Sequence, residues 1–455
     1  MSEQGLATPQ RYWAALVVGI GIFLSVIDST IISLALPIIA RDFNVTNAQS
    51  VLVVNSYQLV VAMFLIPFAV LGDKIGFRRV FLGGFIVFTL ASIWCAFTES
   101  FYSLVMARAL QGIGGAGVMC VSTAVIRFIY PPEKLGRGIS TNAMIVAGSF
   151  ALGPSIGSGI LAIADWSWFF LINIPIGILG IIIGFKVLPK NELSKKPFDT
   201  VSAILSALTF GSMLLFMEEL GHGQTLPYLL IILAFTLCIG WIFIRRQLSI
   251  EQPMMPVDLM RNPLFALSVV TGLFSFCGQM LTLIALPFFL SGNLGIDPVR
   301  IGLLFTAWPL SILCIAPFAG RMADKYSAGI LGGIGLFTAA SGYILLSQLE
   351  ANASTFNIVA SIAICGLGLG LFQSPNTRFI VSSAPRNRTG SVSGLVGTVR
   401  QTGQTIGASL AALMLYLYAD DYGRSAFVLA AIIAVIAALF SLSRILPSLQ
   451  IHHKS

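Results

Sequence analysis

Long apolar runs recur from one end of this chain to the other, and no other feature limits its fold as strongly. Every residue from Ala14 to Val26 is apolar, Gly or Ser, and runs of 20 or more such residues follow repeatedly. About 20 apolar residues in a helix cross the hydrocarbon core of a bilayer. Composition agrees: of 455 residues 56% are hydrophobic and 10% charged, whereas a soluble chain carries about a quarter charged residues. A soluble enzyme is excluded. The stretch SEQGLATPQRYW (2–13) offers no small-residue cleavage site after a short apolar core, so the first run reads as an anchor and not a signal peptide.

Apolar windows set against charged and Pro/Gly breaks give fourteen candidate spans: 13–39, 50–71, 80–98, 102–127, 138–163, 167–188, 199–217, 226–244, 264–290, 300–319, 328–348, 355–380, 390–418 and 425–446. Sidedness follows from Lys and Arg, which accumulate in cytoplasmic loops. With a cytoplasmic N-terminus, 21 of the 26 basic residues fall on the inner side. Arg41, Arg300 and Arg424 fall outside, and Arg108 and Arg400 lie within spans. The net charge of +8 is therefore a topology signal and not a nucleic-acid patch. The six cysteines (Cys95, Cys120, Cys238, Cys277, Cys314, Cys365) lie in apolar runs without a CxxC and read as small core residues. The histidines, His222, His452 and His453, sit in a loop and the tail, which argues against a metal site. No cofactor is expected.

Two segments half a chain apart resemble each other. AVLGDKIGFRR (69–79) and GRMADKYSAG (320–329) each follow a span ending on the inner side, and place Asp73–Lys74 and Asp324–Lys325 in a short turn. Their alignment pairs spans 1–6 with 9–14. Spans 7 and 8 then form an insertion behind the charged linker PKNELSKKPFD (189–199). The expected architecture is an all-α integral membrane protein of two six-helix bundles, 1–188 and 262–455, with a linker and two inserted helices at 189–261. Repeated halves with a site near the bilayer midplane form a transporter architecture.

The costliest residue is Asp28, close to the middle of the first span. A charged Asp at mid-helix costs about 2.5–3.5 kcal/mol on insertion scales. Facing an aqueous cavity, pairing with a cation or carrying a proton removes that cost, and each makes the residue responsive to protons or cations. The purely structural alternative is a permanent salt bridge to Arg108 or Arg400. No other acid lies deep in a span; Glu218 and Glu219 sit at the end of span 7. Arg108 stands about two turns into span 4, with Gln111, Gly112 and Gly115 on its face. It keeps its proton and must find an anion, carbonyls or water, or else snorkel to the interface.

In the 69–79 turn, Asp73 beside Lys74, Arg78 and Arg79 forms either an ordinary positive-inside helix cap or a latch that makes and breaks between conformations. Recurrence around Asp324 favours the latch, with Gly76 and Lys325 in the same turns. In span 5, Gly148, Gly153 and Gly157 permit close helix approach and Pro154 removes a backbone hydrogen bond. Polar residues within other spans, namely Asn55, Gln58, Asn142, Gln279, Gln373, Asn376, Arg400 and Gln404, either bridge helices or line a cavity. Thr271, Ser275 and Gln279 mark one face of span 9, near the aromatic residues Phe274, Phe276, Phe288, Phe289 and Trp308. The glycine runs GIGGAG and GLGLG lie inside spans without a strand or a GK[ST] ending, which rules out a nucleotide loop.

Taken in order, IDSTIISLALP (27–37), LGDKIGFRR (71–79), ARALQGIGGAG (107–117), GSFALGPSIGSG (148–159) and WSWFFLINIPIG (166–177) resemble the motifs of major facilitator superfamily transporters, specifically the fourteen-helix drug/proton antiporter branch. The resemblance spans nearly the whole chain. Departures are Ala69 and Phe77, where the family usually has Gly and a basic residue, and Ser158, where Gly is common. It implies alternating access, multidrug efflux coupled to protons, and a multi-pass cell-membrane protein with both termini cytoplasmic, of the bacterial inner-membrane type. The expected partners are the lipid bilayer, a small amphipathic cation and protons, with no nucleic acid and a monomeric chain. Asp28, Arg108 and Gln111 form the expected coupling site. An anionic or zwitterionic metabolite is the alternative cargo, because two arginines outnumber one deep acid. A non-transporting sensor is a further alternative, without the large soluble domain that would favour it.

Overall fold

Without water to solvate it, a backbone in a bilayer must bond to itself, and every regular element among the described residues is helical. The computed structural model describes residues 6–131, 135–190, 193, 199–221, 225–250, 253, 255, 257–323, 325–350, 352–383, 389–418 and 421–445. The first helices are α1 (Thr8–Asp42), α2 (Asn47–Ser50), α3 (Leu52–Ile75), α4 (Phe77–Ala96), α5 (Phe101–Ile129) and α6 (Leu135–Leu161). Next come α7 (Trp168–Leu171), α8 (Asn173–Val187), α9 (Thr200–Gly221), α10 (Leu226–Ser249) and α11 (Pro263–Gly292). The last are α12 (Pro298–Phe305), α13 (Ala307–Met322), α14 (Ala328–Ser347), α15 (Thr355–Ser382), α16 (Thr389–Leu417) and α17 (Tyr422–Ser443). Among the described residues, 11 stretches are long and apolar enough to cross a membrane. The helices α6, α9 and α16 stand outside that set, although α9 contains the shorter apolar stretch Thr200–Met213.

The chain divides into two compact units: residues 1–35 with 52–211, and 36–51 with 212–455. In the first, α1, α4 and α5 enclose a core that includes Val17, Val18, Ile22, Phe81, Phe85, Phe88, Val118 and Val121. Helices α4 and α5 cross backbone to backbone: a Cβ on Gly84 would lie 2.8 Å from the carbonyl oxygen of Gly114 and from the Cα of Gly117. Helix α6 meets α1 at Gly157, where a Cβ would lie 3.0 Å from Leu34 and 3.2 Å from Ile31. Gly153 faces Thr30 in the same seam. Gly148 is different, with no atom within 4 Å of its Cβ position; span 5 packs closely through two of its three expected glycines. Pro154 lies buried inside α6.

The second unit repeats these devices. Helices α14 and α15 cross at Gly335, whose Cβ would lie 2.6 Å from the Gly368 carbonyl oxygen. Helix α16 approaches α11 at Gly403, whose Cβ would lie 2.6 Å from the Leu273 carbonyl oxygen. The turn after α1 passes through Asn44 (φ 52) to the N-cap Thr46, and the turn after α11 through Gly295 (φ 64) to the N-cap Asp297. Ser100 and Ser354 cap α5 and α15 in the same manner. These local features carry the internal repeat further than the two Asp–Lys turns.

Outward-facing apolar side chains are abundant, for example Ile178, Leu179, Ile182 and Phe185 on α8 and Leu230, Ile231, Phe235 and Trp241 on α10. Lipid contact accounts for such surfaces, which water would penalise. The cysteines divide in the same way. Cys95, Cys277 and Cys365 are buried, but Cys238 and Cys314 are exposed, correcting the expectation that all six are core residues.

Candidate functional site

Asp28 lies inside the first unit and is 5% exposed; Arg108 and Gln111 are fully buried. The α3–α5 seam sets their positions. A Cβ on Gly112 would lie 2.6 Å from the Tyr57 carbonyl oxygen, so this glycine lets α5 settle against α3. One turn earlier, Arg108 then reaches across to α1.

Arg108 Nη1 donates to Asp28 Oδ2, forming a buried ion pair. Nη1 also donates to Gln111 Oε1 at 2.5 Å, and Nε to the Val53 carbonyl oxygen at 3.0 Å. The guanidinium carbon sits 4.5 Å from the Tyr57 ring centroid and 5.6 Å from that of Phe170, between aromatic faces that favour a cation. Tyr57 is itself tied by its hydroxyl to the Ser25 carbonyl oxygen at 3.3 Å. The other carboxylate oxygen, Asp28 Oδ1, accepts from Gln111 Nε2 at 3.0 Å and from Asn173 Nδ2 at 3.2 Å. Gln111 Nε2 also donates to Ser92 Oγ at 2.9 Å.

The cluster is thus a carboxylate and a guanidinium neutralising each other, with amides completing the carboxylate's bonds. Such an arrangement offsets the desolvation of two charges only because these additional bonds are present. Within this cluster, Arg108 Nη2 and Asn173 Oδ1 are buried without a hydrogen-bond partner among the described residues. Arg108 does not snorkel, since it has no exposed surface. In this structure Asp28 is paired with Arg108 and not with Arg400.

Elsewhere the expected site residues disperse. Asn55 and Gln58 are buried in the first unit. In the second, Gln373 Nε2 donates to Gln279 Oε1 at 3.2 Å. Trp308 is fully buried, with its ring centroid 6.2 Å from that of Tyr343. Asn376 is buried too and serves Arg444: Arg444 Nη1 donates to Asn376 Oδ1 and Ser268 Oγ, both at 2.8 Å. Arg444 Nη2 donates to Ser441 Oγ at 2.6 Å and the Ala328 carbonyl oxygen at 3.2 Å, and Nε to the Ser441 carbonyl oxygen at 3.2 Å. Arg400 and Gln404 are half-buried.

Of the latch residues, Asp324 and the Asp73 side chain lie outside the described residues. Lys74 and Lys325 are exposed. Arg78 Nη2 donates to the Phe185 carbonyl oxygen near the end of α8. Gly76 has φ 104, a conformation that side-chain-bearing residues rarely adopt.

Sequence reasoning missed Asn173, Tyr57 and Phe170 as site members, and Arg444 as a buried cation. Asn173 had a signal, as an amide in the otherwise apolar stretch FFLINIPIG (169–177). Arg444 had none, because a basic residue at the end of a span looks like an ordinary topology marker.

Bilayer-length helices, together with the family and the relatives it matches, make this chain a multi-pass membrane transporter, not an enzyme. Residues 18–268 and 268–452 match the Major Facilitator Superfamily, and the chain belongs to that family. It is 46% identical over 447 residues to the uncharacterized transporter YebQ of Escherichia coli (strain K12), covering 98% of each chain. It is 31% identical to the riboflavin transporter RibZ of Clostridioides difficile (strain 630), over 88% of this chain and 87% of that one. With the multidrug efflux pump LfrA of Mycolicibacterium smegmatis it shares 30% identity, over 88% and 80% of the two chains. Among solved structures, a POT family transporter in complex with 5-aminolevulinic acid superposes with TM-score 0.73 at 17% identity, over 94% of this chain and 95% of that one; that likeness concerns the fold.

Proposed function

We propose that the protein is a fourteen-span, proton-coupled exporter of amphipathic cationic small molecules that works by alternating access. The buried Asp28–Arg108 ion pair carries this reading. Asp28 is the proton site and Arg108 its internal counter-ion: a proton on Asp28 releases Arg108, and loss of the proton restores the pair or admits a substrate cation in place of the guanidinium. Gln111 and Asn173 hold the carboxylate in position through both exchanges. A proton crossing a difference of one pH unit contributes about 1.36 kcal/mol, and a 100 mV potential about 2.3 kcal/mol per charge. In a one-for-one exchange of a proton for a monovalent cation the potential term cancels, so one pH unit alone supports about a tenfold gradient.

The fourteen-span count is supported by helices α6, α9 and α16, which stand where spans 5, 7 and 13 are expected. On this reading the bundles are 1–188 and 262–455, with 189–261 inserted, and Asp73–Lys74 and Asp324–Lys325 latch and release during the cycle. The protein works as a monomer in the cell membrane with cytoplasmic termini. Efflux is also supported by the likeness to a relative named as a multidrug efflux pump.

A second reading is transport of an anionic or zwitterionic metabolite. It is favoured by Arg400, a half-buried cation with no ion pair to an acid among the described residues, and the relative named as a riboflavin transporter shows a metabolite as cargo within this sequence range. Everted vesicles containing the protein separate the two. Lumenal pH is followed while lipophilic cations and then organic anions are added. Proton release on adding cations, absent in Asp28→Asn, supports the first reading; a response confined to anions rejects it.

A further inference from the structure

The second unit holds a neutral pair of carboxamides with one donor and one acceptor left over. Gln279 on α11 is 3% exposed, and its Oε1 accepts from Gln373 Nε2 on α15 at 3.2 Å. This bond uses one group on each amide. Among the described residues, Gln279 Nε2 and Gln373 Oε1 have no hydrogen-bond partner, and neither is a sealed buried atom. Exchanging oxygen and nitrogen on both side chains reverses the internal bond but still leaves one donor beside one acceptor, so the conclusion does not depend on amide orientation.

A Gln–Gln bridge serving only to join helices has no use for this remainder, and because neither atom is sealed a ligand can reach both. One turn before Gln279 on the same helix, Ser275 Oγ is also buried without a partner, so this face of α11 carries further unmet capacity. Neither glutamine bonds a charged side chain. The nearby cation Arg444 is not available to a ligand, because all five of its N–H groups are already donated.

We infer that Gln279 and Gln373 form a recognition site for an amide edge in which N–H and C=O lie side by side, as in a lactam or an imide. Gln279 donates to the ligand carbonyl and Gln373 accepts from the ligand N–H. The site selects neutral heterocyclic parts of a substrate, whatever charge the rest of the molecule carries. It deepens the transport reading above and rests on it only in taking the bound molecule to be cargo.

The test is equilibrium binding to purified protein in detergent, which needs no proton gradient; a failure of proton coupling therefore leaves it intact, and the reverse also holds. The probes are riboflavin, lumichrome and 2-quinolone, each paired with its derivative methylated on the ring N–H and followed by intrinsic fluorescence. Methylation removes the donor and leaves Gln373 Oε1 facing a methyl group. For at least one pair, affinity should fall about tenfold in the wild-type protein, the scale of one to two hydrogen bonds. In Gln279→Leu/Gln373→Leu that discrimination should shrink to less than about twofold. If no pair is discriminated by the wild-type protein, including through lack of binding, the inference is overturned; it is also overturned if the double variant discriminates as well as the wild type. The wild-type comparison needs no substitution and survives any folding defect in the variant.

Discussion

Removing one partner of the Asp28–Arg108 pair should harm the fold more than removing both. In Asp28→Asn, the side-chain oxygen can still accept from Gln111 and Asn173, as Asp28 Oδ1 does now. The new NH2 group, however, stands where Asp28 Oδ2 accepted from Arg108, so a donor meets a donor. Arg108 is fully buried and has no other carboxylate partner among the described residues. Breaking a buried pair in this way costs about 3–5 kcal/mol, mostly through the stranded charge, while replacing both members with neutral groups of similar size is often close to neutral. Arg108→Met alone should cost a similar amount by stranding Asp28, and Asp28→Asn/Arg108→Met should recover to within about 1 kcal/mol of wild type. Chemical unfolding of the purified protein, followed by tryptophan fluorescence, gives the three values and the coupling energy. Single variants as stable as wild type, or a double variant whose losses simply add, would refute the reasoning.

Two further outcomes follow from the packing. Gly76→Ala forces a side chain into φ 104 at the start of α4 and should lower stability by about 1–3 kcal/mol, seen as a lower thermal midpoint; an unchanged midpoint contradicts the assigned turn geometry. Arg444→Lys replaces five fixed donors with three, so at least two of the five bonds to Ser268, Asn376, Ala328 and Ser441 are lost, the reach to the Ala328 carbonyl on α14 among them. Hydrogen exchange should then rise by about tenfold or more in the first turn of α14, the equivalent of losing one to two hydrogen bonds, and no change there would show that Arg444 does not tie these helices.

Much of the fold was legible because bilayer helices are written in long apolar runs, and a charge inside such a run has few places to go. Asp28, Arg108 and Gln111 stood out for that reason, and the structure brings all three together. Tyr57 and Phe170 did not stand out, since an aromatic residue in an apolar span resembles any other lipid- or core-facing residue until Arg108 is found between the rings. The destinations of the scattered amides were likewise hidden. Asn376 and Gln373 lie one turn apart on α15, yet one holds Arg444 and the other meets Gln279. Hydropathy records that a residue is polar, and the choice between partners depends on which helices cross where. Gly335 and Gly368 set one such crossing by backbone contact, a matter of shape more than of pattern.

The central claim is that Asp28 couples transport to protons. Proteoliposomes loaded with ethidium and given a one-unit pH difference test it most directly, with wild type and Asp28→Asn compared at equal reconstitution. The account predicts that wild type accelerates ethidium movement against the proton flow, and that Asp28→Asn shows no response to the pH difference. Undiminished pH-driven transport by Asp28→Asn would contradict it.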